Sequence, residues 1–339
     1  RSGEGGATYP VGNPTTGGQL GEAADATRAD VEAALSAARR AFDESGWATD
    51  VDLRVRCLRQ LHQALVDHAD QLTELTIAEV GAPRSACATV QLTAPTEFLP
   101  YYADLAEGYE WTTPLGVADT LGGPAERWTE RNPIGVVAAI TPWNVPHQIN
   151  LAKVAPALAA GCTVVLKPAP ETPWCGLALG RLVAEHTDIP AGVFNVVTSS
   201  DPAIGELLTG EPRVDMVSFT GSTATGRRVM AAASANVTKV FLELGGKSAS
   251  IVLDDVVDFG LAAATAAFGT ATVAGQGCAL TTRVLLPRSR YEEGVDAIAE
   301  MMAAMTPGDP TDPGTMMGPL ISDRQWQRVN DYVRSAEAD

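Results

Sequence analysis

Five short stretches carry side chains suited to chemistry. The first is Thr141-Pro142-Trp143-Asn144-Val145-Pro146, directly after an apolar run. Two prolines beside an Asn make ordinary turn chemistry, but a rigid loop of this kind can also hold the Asn144 amide where an oxyanion develops. The second, Lys167-Pro168-Ala169-Pro170-Glu171-Thr172-Pro173, again follows an apolar run; Lys167 is either a solvated cation or a donor to nucleotide ribose hydroxyls. In the third, Phe219 to Gly226, an apolar run enters a Gly-rich turn whose backbone N–H groups can hold phosphate. Arg227-Arg228 stands where a P-loop needs Lys and Ser/Thr, and Gly246-Lys247-Ser248 would need its opening Gly at Phe241, so nucleoside triphosphate hydrolysis is disfavoured and a dinucleotide remains open. The fourth places Glu243 at the end of an apolar strand, before Leu244-Gly245-Gly246-Lys247, either paired or serving as a general base. The fifth is Gly275-Gln276-Gly277-Cys278, in which Cys278 is a small buried hydrophobe or an approachable nucleophile between glycines.

The elements that must position these residues follow a change of rhythm. The first half of the N-terminal region reads as helical. Thr27 and Asp30 stand at capping-box spacing before Val31, Leu35, Ala38 and Phe42; Val51, Val55, Leu58, Leu61 and Leu65 mark a second helix, and Leu72, Leu75 and Ala78 a third that ends near Gly81. Between Trp111 and Arg131 the pattern is that of a protruding hairpin. From residue 134 short Val/Ile-rich runs alternate with helical patterns: Ile134–Ile140, Thr163–Lys167, Val193–Val197, Met216–Phe219 and Val240–Leu244. That alternation predicts an α/β fold with a mostly parallel sheet and helices on both faces. Ligands of such sheets bind beyond the carboxyl ends of the strands, where four of the five stretches lie. After Ser248 come a strand at Ile251–Leu253, an Ala-rich helix, a strand around Val284 and a polar helical pattern reaching Asp339.

Composition narrows the field. The 339 residues are 45% hydrophobic and 19% charged, as in a globular chain with room for two cores. A formal charge of −17 argues against nucleic acid as a partner. Five unevenly spaced cysteines, without a Cys-x-x-Cys or His-x-x-x-His pair, favour free thiols over a zinc site or disulfides. No signal-peptide core and no run of about 18 apolar residues is visible, so the expectation is a cytoplasmic protein that does not engage membranes.

Taken in order, the five stretches resemble the aldehyde dehydrogenase superfamily: Pro-Trp-Asn-x-Pro at 142–146, Lys-Pro-x-x-x-Thr-Pro at 167–173, Phe-Thr-Gly-Ser-x-x-x-Gly at 219–226, Glu-Leu-Gly-Gly-Lys at 243–247 and Gly-Gln-x-Cys at 275–278. Gly318-Pro319-Leu320-Ile321 also looks like a family element. The resemblance implies a Rossmann-like dinucleotide-binding domain formed by 1–110 with 134–245. It also implies an oligomerisation hairpin at 111–133 and an α/β catalytic domain at 246–339, incomplete here. A homodimer or homotetramer is expected. Cys278 would add to an aldehyde, Asn144 and the Cys278 N–H would hold the oxyanion, and Glu243 would activate the water that hydrolyses the thioester. Lys153 would support that network. Cofactor contacts are expected from Ile140, Thr141, Pro142, Trp143, Lys167, Pro170, Phe219, Gly221, Ser222, Gly226 and Leu244, with no metal.

Four departures stand out. The chain stops short of the family's usual length, without its later Glu-x-Phe-Gly-Pro motif; a chain physically cut there is expected to be inactive or misfolded. Pro170 replaces a Glu common in NAD-preferring members, so NAD is expected with NADP also admitted. Val273 replaces a common Asn, which reads as local loop packing. Val145, Ile149 and Ala152 share a helix face that carries bulkier side chains in many relatives, implying a wide tunnel for branched or cyclic aldehydes; His147 reads as structural. Two other classes fit less well: a cysteine hydrolase, which lacks a Cys-His signature among the four histidines, and a non-catalytic binding protein, against which Asn144, Glu243 and Cys278 speak. Glu243 argues against coenzyme A as the thioester acceptor.

Overall fold

The computed structural model describes residues 6–338. Ahead of the first helix the described residues form an antiparallel ribbon, β1 (Thr8–Gly12) and β2 (Gln19–Ala24), in a region otherwise read as helical. Alternation in β1 puts Tyr9 and Val11 on one side, where they pack with Ala23 and Trp174. Helical periodicity starts only at Thr27, which closes a capping box with Asp30 and opens α1 (Arg28–Glu44). Val31, Leu35 and Ala38 are buried there, and Ala41 is more deeply buried than the expected Phe42. Helix α2 (Val51–Asp67) starts at the Asp50 cap and buries Val55, Leu58, Leu61 and Leu65. Helix α3 (Ala69–Val80) ends at Gly81, whose φ of 72° is left-handed. Two short turns, α4 (Arg84–Ala86) and α5 (Thr93–Thr96), flank a π-turn at Cys87–Gln91 and lead into α6 (Phe98–Glu107). The hairpin expected at 111–133 is β3 (Thr112–Thr120) paired with β4 (Gly123–Glu130).

The five predicted core strands are present: β5 (Val136–Ile140), β6 (Thr163–Lys167), β7 (Phe194–Val196), β8 (Met216–Gly221) and β9 (Lys239–Leu244). Between them run α7 (Pro146–Ala159), α8 (Pro173–His186), α9 (Pro202–Thr209) and α10 (Thr223–Ala233). All pairs are parallel, in the order β7-β6-β5-β8-β9. Side-chain alternation divides the core in two. Val137, Ala139, Val164 and Leu166 meet the apolar stripes of α2, α6, α7 and α8. Val136, Ala138, Val165, Val217 and Phe219 meet those of α1, α9 and α10. The strand order reverses direction between β5 and β8, so the ligand crevice of this sheet opens over their carboxyl ends.

Beyond the sheet, β10 (Ala249–Ile251) pairs in parallel with β11 (Arg283–Leu285), two residues upstream of the expected Ile251–Leu253. Helix α11 (Phe259–Ala271) joins them and packs against α12 (Tyr291–Ala304); the polar α13 (Asp323–Ala338) follows.

Candidate active site

Strand β5 delivers the Asn loop to the crevice. The Thr141 N–H donates to the Lys167 carbonyl at 3.1 Å, tying the ends of β5 and β6 together. Pro146 then starts α7, where a missing N–H costs nothing. Ile140, Pro142 and Trp143 are half-buried at the crevice. Asn144 is 8% exposed, and its Nδ2 donates to the Gln276 carbonyl at 2.6 Å. The loop after β5 is thereby joined to the segment carrying Cys278, 132 residues downstream. An amide has two N–H groups, so one bond to Gln276 leaves the other to face a ligand.

Cys278 is half-buried and free. Three consecutive left-handed residues precede its loop: Val273 (φ 55°), Ala274 (φ 53°) and Gly275 (φ 72°). A β-branched residue is a genuine outlier there, whereas Asn adopts that conformation more readily. The Val273 position is thus distinguished by backbone strain, which corrects its reading as packing alone. Gln276 pins the turn: its backbone N–H and its Nε2 both donate to the Val273 carbonyl at 3.1 Å, and its Oε1 accepts from the Ile321 N–H at 3.0 Å. The Gly318–Ile321 segment is held in turn against Gly81, so closely that a Cβ on Gly318 would lie 2.0 Å from the Gly81 carbonyl oxygen.

Glu243 lies on the exposed face of β9 with Lys239 and Phe241, while Val240, Leu242 and Leu244 are half-buried. Strand β9 closes one side of the five-stranded sheet of the described residues, and its outward row is Lys239, Phe241 and Glu243 rather than an unbroken apolar run. A Cβ on Gly246 would stand 3.5 Å from the Cys278 carbonyl oxygen, so the turn after Glu243 abuts the cysteine loop. Glu243 also acts electrostatically on Lys153, which is 7% exposed and donates from Nζ to Ser218 Oγ at 2.9 Å. Burial pulls the Lys153 ammonium down from its ordinary 10.5 to about 8, against the opposing pull of Glu243. Its Nζ lies 5.9 Å from the centre of the Phe241 ring. His147, 1% exposed, is pushed down to about 4 by burial and is neutral at pH 7. Of the proposed tunnel residues, Val145 is buried, Ile149 half-buried and Ala152 exposed.

A dinucleotide finds suitable partners around the crevice. Ser222 caps the exposed start of α10, accepting from the Thr225 N–H at 3.2 Å. Gly226 packs against Leu244, where a Cβ would come within 2.7 Å of Cδ2, and a Cβ on Gly221 would meet the Phe219 ring at 2.6 Å. At the end of β6, where such sheets place the adenosine ribose, Lys167 is 6% exposed and makes one long bond, to the Pro168 carbonyl at 3.5 Å. Burial lowers its pKa, opposed by Glu171, Asp25 and Asp201.

Several residues packed around these stretches carry no sequence signal. Gln91 and Glu79 sit in segments without a motif. Glu79 accepts from the Trp174 and Cys175 N–H groups at 2.7 and 2.9 Å, and burial raises its carboxyl to about 7. Ser218 was visible as a lone hydroxyl between Val217 and Phe219, but only the structure sets it opposite Lys153.

A doubly wound parallel sheet with a thiol, a carboxylate and an amide donor on segments around its crevice is an α/β architecture suited to a dinucleotide. The aldehyde dehydrogenase family model matches residues 1–339. Aminoacetaldehyde dehydrogenase of Pseudomonas aeruginosa is 37% identical, covering 99% of this chain and 67% of the relative. Betaine aldehyde dehydrogenase 1 of Oryza sativa is also 37% identical, over 98% of this chain and 66% of its own length. Among solved structures, betaine aldehyde dehydrogenase of Staphylococcus aureus with NAD+ superposes with a TM-score of 0.93 at 30% identity, covering 100% of this chain and 66% of that one. The chain belongs to the aldehyde dehydrogenase family and spans about two thirds of the length of these relatives.

Proposed function

We propose that the protein oxidises an aldehyde to a carboxylic acid with NAD as hydride acceptor, and that Cys278 is its nucleophile. The observation that carries this reading is the bond from Asn144 Nδ2 to the Gln276 carbonyl, which fixes an amide donor beside the cysteine loop. The Cys278 thiolate adds to the carbonyl carbon; the C–S bond forms and the carbonyl electron pair moves onto oxygen, facing Asn144 and the Cys278 N–H. When bound, the nicotinamide supplies the hydride acceptor that no side chain provides. Loss of hydride leaves a thioester on Cys278. Glu243 takes a proton from water, the hydroxide adds to the thioester carbon, and the C–S bond breaks to return the thiolate and release the acid. Lys153 supports this network through Ser218.

The residues at the adenosine end favour NAD over NADP. The carboxylate absent at Pro170 has counterparts in Glu171, Asp25 and Asp201, all within electrostatic reach of Lys167. Burial acts to raise the Asp25 carboxyl, but hydrogen bonds from Ser200 and Ser199 outweigh it, keeping it ionised. Glu171 also pairs with Arg324 at 2.9 Å, so a ribose 2′-phosphate placed there meets the Asp25 and Asp201 carboxylates besides the Lys167 ammonium.

The small side chains of Val145, Ile149 and Ala152 at the start of α7 support a wide tunnel for branched or cyclic aldehydes; higher kcat/KM for short linear aldehydes than for bulky ones would overturn it. Hairpin β3–β4 carries Leu115, Val117 and Trp128 at 51, 69 and 54% exposure, which supports its role in a homodimer or homotetramer. The division into 1–110 with 134–245, 111–133 and 246–339 is retained. No helix among the described residues is long and apolar enough to cross a membrane. The free thiols support a reducing compartment, the cytoplasm. The test of the activity is reduced-nicotinamide absorbance with the full-length protein and its Cys278→Ala variant across an aldehyde panel. A rate requiring aldehyde and cofactor, and lost in the variant, supports the reading; an equal rate in the variant removes Cys278 from it.

A further inference from the structure

Gln91 belongs to none of the motifs, yet it is fully buried and touches the Asn loop directly. It closes the π-turn at Cys87–Gln91, and its Nε2 donates to the Asn144 carbonyl at 2.9 Å. Among the described residues its buried Oε1 meets no hydrogen-bond partner. A half-satisfied buried amide is unfavourable beside an apolar side chain of the same size, so fold stability does not account for the residue. The bond it does make continues a chain of amides: Gln91 holds the Asn144 carbonyl, Asn144 Nδ2 holds the Gln276 carbonyl, and Gln276 Oε1 accepts from the Ile321 N–H. Asn144 is thus gripped at its backbone by one element and at its side chain by another, leaving one N–H of its amide unassigned among these bonds.

We propose that Gln91 is a positioning residue: by fixing the 144–145 peptide it sets the direction in which the Asn144 amide meets the developing oxyanion. The proposal rests on the reading of Asn144 as the oxyanion donor. It requires that the effect of Gln91 on the reaction pass through Asn144, which a merely structural glutamine would not do.

The experiment is a double-mutant cycle on the full-length protein, with Gln91→Met, Asn144→Ala and the combination. Gln91→Met keeps the volume and removes the donor. The expected result is a fall in kcat of about 10-fold, with the KM for NAD changed by less than about 2-fold. Added to Asn144→Ala, Gln91→Met lowers kcat no further. Equal losses in the two backgrounds, or an unchanged kcat in Gln91→Met, overturn the positioning role while leaving Asn144 as donor. An unchanged kcat in Asn144→Ala overturns the donor reading beneath it. Gln91→Glu provides a second measurement should the methionine variant fail to fold. Its carboxylate cannot donate, so the kcat loss is expected at neutral pH and is relieved, relative to wild type, as pH falls and the protonated acid donates again. A ratio to wild type that does not vary with pH overturns the proposal.

Discussion

Lys153 is the place where function and stability should part most clearly. Lowering its pKa from 10.5 to about 8 corresponds to roughly 3 kcal/mol of unfavourable free energy for keeping the ammonium charged in the fold. Lys153→Met removes that charge and leaves an unbranched side chain of similar reach. The variant also loses the bond to Ser218 Oγ, worth about 1 kcal/mol, and the contact with the Phe241 ring, worth roughly 0.5–1 kcal/mol. The balance at pH 7 is a gain of about 1–2 kcal/mol, or a thermal midpoint raised by roughly 1–3 °C.

The pH dependence distinguishes this cause from better packing. Between about 8 and 10.5 the unfolded chain binds more protons at Lys153 than the folded chain, so wild-type stability from this group rises through that window. The advantage of Lys153→Met should therefore be full below pH 8 and largely gone by pH 10.5. Thermal unfolding of the full-length protein at pH 7, 9 and about 10.5, with aldehyde oxidation measured on the same samples, reads both effects. A lower midpoint at pH 7, or an advantage that persists unchanged at the alkaline end, refutes the reasoning. Loss of activity alongside a raised midpoint is expected, since groups placed for chemistry are often destabilising where they stand.

Glu243→Gln should preserve a first turnover of reduced nicotinamide and slow later turnovers by about 100-fold, because it removes the base for hydrolysis and leaves Cys278 in place; stopped-flow absorbance separates the phases, and loss of the first turnover would assign Glu243 to an earlier step. Asp25→Asn with Asp201→Asn should raise the NADP-to-NAD ratio of kcat/KM by about 10-fold, equivalent to about 1.4 kcal/mol, and the asparagine introduced in place of Asp201 can still cap α9. An unchanged ratio would remove those carboxylates from cofactor selection. Gly318→Ala should destabilise by about 2–3 kcal/mol and release Gln276 from Ile321, because its Cβ would fall 2.0 Å from a backbone oxygen; a thermal midpoint equal to wild type would show that the segment can shift.

What could be read in the sequence, and what could not, follows the range of the interactions. The central strands announced themselves because a sheet buried on both faces requires an unbroken apolar run, and Val136 to Ile140 or Thr163 to Lys167 can satisfy that locally. Thr27 and Asp30 announced α1 because both halves of a capping box lie within one turn. The opening ribbon was hidden because β1 and β2 bury only Tyr9, Val11 and Ala23 on their inner side, too few to set a period. Which face of β9 is covered was not legible, because Lys239, Phe241 and Glu243 share a face whose exposure depends on what stands opposite. The site behaves likewise. Asn144, Cys278 and Lys167 could be singled out as candidates because each sits in a short motif of restrictive Pro and Gly residues. Gln91, Ser218 and Asp25 could not, because their roles arise from neighbours 53, 65 and 174 residues away in the chain. Local chemistry names the groups at a crevice, but the bonds that orient them close only when the fold does. The double-mutant cycle and the pH profile of Lys153→Met therefore probe the part of this site that no motif contains.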